Sequence, residues 1–213
     1  MTALHPNSYE LVRPLFLGMD FHLVGHSILA KQTPAQIFVD NNERPKALFA
    51  QAGHRYILAG DSDIDSFNLG IQKMFANVIY PRAVAEGQEG FAIYYDSSTW
   101  EEKMEALLLD KEIIHADREY YTCKTLKQNW QNVMPTGFQL QMVDAALLAN
   151  TNLKHLDTLK EEMISERPSV DDFLAKSFGV CAIHENELAG WCLSEYNADG
   201  RCEIGIETTS EFR

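Results

Sequence analysis

Apolar positions in the first half of the chain follow strand spacing and then helix spacing. Three short apolar runs separated by turn residues predict an antiparallel meander: Gln36 to Asp40, Ala47 to Ala50 and Arg55 to Ala59. The next apolar positions recur at helical spacing: Ile64, Phe67, Ile71, Phe75 and Ile79. This spacing predicts a helix that is capped by Asp61, Ser62 or Asp63 and ends before Pro81.

The pattern then weakens towards the middle of the chain. A strand is predicted from Gly90 to Tyr95, followed by a helix near Trp100 that Ser98 or Thr99 caps. Two further short strands are possible, at Ile113 to Ala116 and Glu119 to Cys123. Polar residues 128–132 and the Pro-Thr-Gly that follows predict a linker, so we expect domains at residues 1–130 and 136–213.

The last third of the chain has a clearer pattern. A strand from Phe138 to Val143 precedes a helix capped by Asp144, and Ser169 starts a later helix after Pro168. Three strands then follow with short turns between them: Phe178 to Ile183, Leu188 to Tyr196 and Arg201 to Thr208. Short turns make these strands antiparallel neighbours. The fold class predicted is α/β or α+β, with mixed, mostly antiparallel sheets and flanking helices.

The net charge of the chain favours some classes of binding partner over others. The sequence has 46% hydrophobic residues and a formal net charge of −13. Such a charge disfavours nucleic acids and anionic membrane surfaces as partners and favours a cationic small molecule. The longest apolar runs have strand length, which is too short to span a membrane. The four cysteines form no CxxC pair, so no metal site is expected. We therefore expect buried thiols in a cytoplasmic protein.

The last third also resembles a known family. Its order of a strand, a pair of helices and a three-stranded meander is similar to the start of the GNAT N-acetyltransferase fold. The segments that carry this similarity include Leu188-Ala189-Gly190-Trp191 and Glu203-Ile204-Gly205-Ile206. The N-terminal part resembles the leading, GNAT-like half-domain of a subgroup that includes the zwittermicin-resistance acetyltransferases. The resemblance implies acetyl transfer from acetyl-CoA to the amine of a small molecule.

The resemblance also implies roles for residues of the last strand. The backbone of Ile206, Glu207 and Thr208 would bind the pantetheine of acetyl-CoA. Arg213 would open the R/Q-x-x-G-x-G/A loop, whose amides hold the pyrophosphate at a helix N-terminus. Either Glu203 or Glu207 would act as the catalytic base, by taking the proton of the acceptor ammonium.

Strand alternation leads to expectations about the faces of this last strand. Cys202, Ile204 and Ile206 share one apolar face, which we expect to pack on helices. Glu203, Gly205 and Glu207 share the opposite face, which we expect to be a surface, with a bulge or a lost partner at Gly205.

Two alternatives remain open at this point. The sequence contains no R/Q-x-x-G-x-G/A pattern, so the chain as given is expected not to bind acetyl-CoA and to self-associate through the open edge of its last strand. The first alternative is therefore a non-catalytic binding module. The second is an unrelated enzyme using the N-terminal segment, for which no nucleophile–base pair or phosphate-binding motif is evident. His22 and His26 have helical spacing, but no third metal ligand accompanies them.

Overall fold

A computed structural model of the chain describes residues 1–109, 111–125, 129, 133–165 and 167–213. It divides the chain into two compact units, Met1–Arg118 and Glu119–Arg213. Of the predicted linker, residue 128 and residues 130–132 lie outside the described residues, so a domain boundary near residue 130 stays a prediction.

The first unit contains a five-stranded sheet in the order β1-β2-β3-β4-β5. Its strands are β1 (Thr2–Ala3), β2 (Gln36–Val39), β3 (Ala47–Ala52), β4 (Arg55–Gly60) and β5 (Ala92–Tyr95). The first four strands pair antiparallel, as the meander pattern predicts, and β5 adds to β4 in parallel. The helices of this unit are α1 (Arg13–Phe16), α2 (Val24–Leu29), α3 (Asp65–Met74), α4 (Tyr80–Ala85), α5 (Ser98–Glu101) and α6 (Met104–Leu108).

The core of the first unit lies between the sheet and the helices that follow it. Its buried residues include the aromatic side chains Phe49, Tyr56, Phe67, Phe75 and Trp100. Gly60 ends β4 with a φ of +89°, a conformation that favours glycine. Its carbonyl accepts a 3.1 Å bond from the Trp100 indole, and its N–H donates a 2.7 Å bond to Asp96 Oδ2. These bonds fix the chain where it leaves the sheet.

The predicted helix boundaries of the first unit are wrong in several places. The helix does not end before Pro81: a π turn, Phe75–Ile79, joins α3 to α4, and the chain stays helical to Ala85. Proline lacks an N–H, and a π turn interrupts the regular bonding of an α-helix, so a proline is tolerated just after it. The cap predictions also fail, because Ile64 occupies the N-cap of α3 and Ser97 that of α5, each without a side-chain hydrogen bond to its helix.

The two weak strands of the middle segment are also absent. Ile113 to Ala116 and Glu119 to Cys123 have no regular secondary structure. Ile114 and Tyr121 are more than four-fifths exposed, at 82% and 84%. Apolar residues in these runs have no neighbouring strand within the described residues to pair with, and a short apolar run alone does not make a strand.

The second unit contains a four-stranded antiparallel sheet in the order β6-β7-β8-β9. Its strands are β6 (Phe138–Met142), β7 (Gly179–His184), β8 (Glu187–Ala198) and β9 (Arg201–Thr208). Its helices are α7 (Ala145–Leu148), α8 (Leu156–Ser165) and α9 (Val170–Lys176), and a 3₁₀ turn, Ser210–Phe212, follows β9. The antiparallel meander predicted from the short turns is confirmed.

The predicted helix caps of the second unit are also confirmed. Asp144 accepts a 2.8 Å bond from the Leu147 amide, and Ser169 accepts a 3.1 Å bond from the Asp172 amide. In the described part of the chain, no helix combines the length and apolar character needed to cross a membrane.

Candidate functional site

The pairing of β8 with β9 decides which side chains of β9 face the helices. Trp191 lies opposite Glu207, and Leu193 lies opposite Gly205. Cross-strand partners project from the same face of a sheet. Trp191 and Leu193 are buried in a core that also contains Leu159 and Met163 of α8 and Phe173 of α9. The carboxylate face of β9 therefore lies on the helix side.

This finding reverses the predicted faces of β9. Ile204 and Ile206, which were expected to pack on helices, are 58% and 74% exposed. The bulge expected at Gly205 is also misplaced, because the irregularity in this ladder lies between Glu195 and Ala198. The prediction was made from the apolar residues of β9 alone. The faces of β9 are instead set by its register with β8, which the buried side chains of β8 fix.

A small acidic cleft occupies the helix side of β8 and β9. It has a volume of about 130 Å³ and three carboxylate residues in its lining: Glu162, Glu195 and Glu207. The other lining residues are Met163, Phe173, Trp191, Leu193, Ser194, Gly205 and Ile206. Such a volume is below that of drug-sized ligand pockets, so it suits an amino group with a few carbon atoms.

The Glu195 carboxylate lies directly over Gly205. A Cβ atom at position 205 would overlap Glu195 Oε1, so a side chain there would displace the Glu195 carboxylate from its place over the strand. Glu195 is partly buried, whereas Glu162 and Glu207 are exposed. Glu203 lies opposite Glu195 on the same face. Gly205 thus makes room for a carboxylate rather than for a bulge.

Trp191 adds a polar group to the wall of the acidic cleft. Its side chain is buried, and its indole Nε1 has no hydrogen-bond partner among the described residues. A buried donor without a partner is costly in a folded protein, by about 1–3 kcal/mol. Trp191 therefore carries a buried, unpaired N–H donor among the residues that line the cleft.

Along the free edge of β9, the backbone N–H and C=O groups of every second residue point away from β8. The Thr209 amide donates a 3.0 Å bond to the Ala189 carbonyl across the ladder. Because antiparallel strands alternate, the backbone groups of Thr208 and Ile206 then point away from β8. The Thr208 carbonyl accepts a 2.9 Å bond from Arg213 Nε, and the same guanidinium pairs with Glu207. Arg213 therefore lies against the edge that was predicted to bind the cofactor.

Three comparisons with known proteins bear on this unit and on the whole chain. A family model described as GNAT acetyltransferase matches residues 13–213. The chain belongs to the GNAT acetyltransferase family. A Bacillus subtilis (strain 168) protein, "Uncharacterized N-acetyltransferase YdfB", is 24% identical over 217 residues, which cover all of this chain and 78% of that protein.

A solved structure shares the fold of this GNAT chain. It is the GCN5-related N-acetyltransferase-like protein from Streptococcus suis 89/1591, which aligns with a TM-score of 0.63 at 17% sequence identity. The alignment covers 97% of this chain and 78% of that one. The family match begins at Arg13, so it extends well beyond the last third of the chain, from which the resemblance was read most clearly.

Glu195 is a candidate site residue of this GNAT chain that the sequence alone did not predict. Its position in a strand of apolar and small residues gave no functional signal by itself. The short turn between β8 and β9 could have identified it, because folding the two strands together places Glu195 next to Gly205 and Glu203. Among the other candidates, His22 lies edge-on against Tyr94 and before the start of α2, while His26 bonds Asp20. These two histidines therefore do not share a helix face.

The three cysteines in the sheet of the second unit, Cys181, Cys192 and Cys202, are poor nucleophiles. All four cysteines of the chain are free thiols. Burial raises the pKa of the Cys181 thiol to about 12. Burial also raises the pKa of Cys192 and Cys202. Thiolate is the reactive form, so these side chains act as small apolar residues.

We expect thiol labelling to separate exposed from buried cysteines. At pH 8, a thiol with a pKa near 12 is about one part in 10⁴ thiolate, so Cys181 should stay unlabelled by iodoacetamide in the native protein. Exposed Cys123 should react first. Peptide mass spectrometry before and after unfolding in urea measures this order. Rapid labelling of native Cys181 would contradict the burial of that thiol.

Proposed function

We propose that this GNAT chain transfers the acetyl group of acetyl-CoA to a primary amine of a small cationic molecule in the cytoplasm. The observation that carries the proposal is the acidic cleft beside β9, where Glu195 lies over Gly205. An aliphatic amine is an ammonium ion near neutral pH, so carboxylates attract it. The net charge of −13 favours the same class of substrate.

The same carboxylates provide a route for the proton. The acceptor ammonium must lose its proton before the nitrogen can attack the acetyl thioester. Glu195 is the most enclosed carboxylate of the cleft, and we assign it the role of proton acceptor. Glu203 and Glu207, predicted from the sequence, share its face of the sheet. Glu207 is tied to Arg213, which makes it better suited to positioning than to accepting the proton.

The edge of β9 would hold the cofactor. The outward backbone groups of Ile206 and Thr208 fit the amides of pantetheine, which pair with a strand edge as a peptide does. Arg213 contributes a cation at the same edge, where it bonds Thr208. Acetyl-CoA supplies the acetyl group as a thioester. We propose further that a phosphate-binding loop follows Arg213 in a longer protein of the zwittermicin-resistance type.

The test uses carboxylate-to-amide substitutions in the cleft. We expect Glu195→Gln to lower kcat/KM for amine acetylation by about 100-fold or more, because it removes the proton acceptor. Glu203→Gln and Glu207→Gln should have smaller effects. The assay measures free CoA released from acetyl-CoA with a panel of diamines and amino sugars, on the chain extended past Arg213. Glu161→Gln on α8 is the control, since Glu161 lies outside the cleft lining.

Each outcome of that assay bears on a different part of the proposal. An unchanged kcat/KM in Glu195→Gln would transfer the base role to another residue, and loss in Glu203→Gln or Glu207→Gln would identify which one. Activity restricted to anionic acceptors would contradict the electrostatic argument. A chain that neither binds acetyl-CoA nor releases CoA, even when extended, would favour the alternative of a non-catalytic binding module.

We also propose that, when no acetyl-CoA occupies it, the free edge of β9 pairs with a second copy of the chain. Beyond β9, the described residues supply no further strand to the sheet. An unpaired edge is a template for another strand, and the exposed Ile204 and Ile206 next to it add apolar surface. Sedimentation analysis should therefore detect dimers or larger species. Ile204→Lys should shift the chain towards the monomer, and a wild-type chain that stays monomeric at high concentration would contradict the pairing.

A further inference from the structure

A cluster of one histidine and two glutamates lies away from the acidic cleft. One ligand atom from each of His155, Glu187 and Glu211 lies within 4.8 Å of the others. His155 Nε2 is 2.9 Å from Glu187 Oε1, and the two side chains are 30% and 21% exposed. None of the three residues contributes to the lining of the acidic cleft.

Three separate segments hold these side chains in place. The Lys154 amide donates a 3.0 Å bond to the Asn186 carbonyl, which ties the residue before His155 to the start of β8. Glu187 is the first residue of β8. Glu211 lies in the turn after β9, where the Phe212 ring packs edge-on against Phe138 and His184. Because each segment is held by its own contacts, the three ligand groups are already assembled.

The charges of the cluster match a divalent cation. Glu187 and Glu211 supply two carboxylate groups close enough to share one ion with the imidazole of His155. Two carboxylates at this separation repel one another, and a cation between them offsets that repulsion. Lys154 is 3.3 Å from Glu187 Oε2, which leaves Oε1 to face the histidine.

We propose that His155, Glu187 and Glu211 bind Zn²⁺ at a site that clamps the turn after β9 onto the start of β8. One imidazole nitrogen and two carboxylate oxygens are ligands that Zn²⁺ accepts, with water completing a tetrahedral site. The ion takes the place of the hydrogen bond between His155 and Glu187 and offsets the repulsion between the carboxylates. It thereby fixes the orientation of the segment that leads to Arg213.

Calorimetric titration of the chelator-treated chain with ZnCl₂ tests the site, in a Cys123→Ser background that removes the exposed thiol. We expect one ion per chain in that background, and affinity lower by at least about tenfold in His155→Asn and in Glu211→Gln. Asparagine suits position 155 because the backbone φ there is +62°. Glu185→Gln, in the turn before β8, removes an equal charge outside the cluster and should bind as the parent does.

A second readout distinguishes lost ligands from lost fold. Co²⁺ in place of Zn²⁺ should give visible absorption bands of a site with nitrogen and oxygen ligands, and these bands should vanish in Glu211→Gln. Without metal, that variant should unfold at the same temperature as the parent, because Glu211 is exposed. Absence of stoichiometric binding, unchanged affinity in both ligand variants, or equal weakening in Glu185→Gln would each overturn the proposal.

Discussion

Burial of Trp191 and Leu193 beneath α8 and α9 is the constraint on which the candidate site depends. Both side chains are almost fully enclosed, with 4% and 3% of their surface exposed. A shift of one residue in the pairing of β8 and β9 would turn every side chain of β9 to the other face. Burying these two residues therefore also directs Glu203, Gly205 and Glu207 towards the helices, and it leaves Ile204 and Ile206 in solvent.

The consequence is an acidic cleft with an apolar floor. Met163 and Phe173 supply buried apolar side chains, and Glu195 places its carboxylate over Gly205. Charge interactions are stronger where water is partly excluded, so carboxylates in this cleft attract an ammonium ion better than they would on an open surface. The backbone groups that would hold pantetheine lie along the free edge of the same strand, β9. The proposed amine site and the proposed cofactor site thus both depend on the placement of β9.

Local signals in the sequence predicted much of the second unit. Asp144 and Ser169 cap their helices because each side chain bonds an amide three residues further on, a contact that needs no tertiary information. The antiparallel meander follows from short turns. The orientation of β9 did not follow, because it depends on the burial of side chains in β8. Glu195 was not predicted for the same reason: its place over Gly205 depends on how the two strands pair.

The first unit and the start of the second show a different limit of sequence patterns. Pro81 was expected to end a helix, yet the π turn before it lets the chain continue into α4. The apolar residues between Ile113 and Cys123 suggested strands, but strand formation requires a partner, and the sequence pattern does not specify one. These errors share a cause, which is that a local preference was read without the backbone bonds that override it.

The orientation of β9 is tested most directly by comparing Leu193→Ser with Ile206→Ser. The account predicts that Leu193→Ser lowers the free energy of unfolding of the second unit by about 3 kcal/mol, the cost of removing a buried leucine side chain. Ile206→Ser should change it by less than about 0.5 kcal/mol, as expected for an exposed position. Urea unfolding followed by Trp191 fluorescence, with Trp100 replaced by phenylalanine and Trp130 by tyrosine in every sample, measures both. A large loss in Ile206→Ser with little change in Leu193→Ser would contradict the orientation, and with it the acidic cleft.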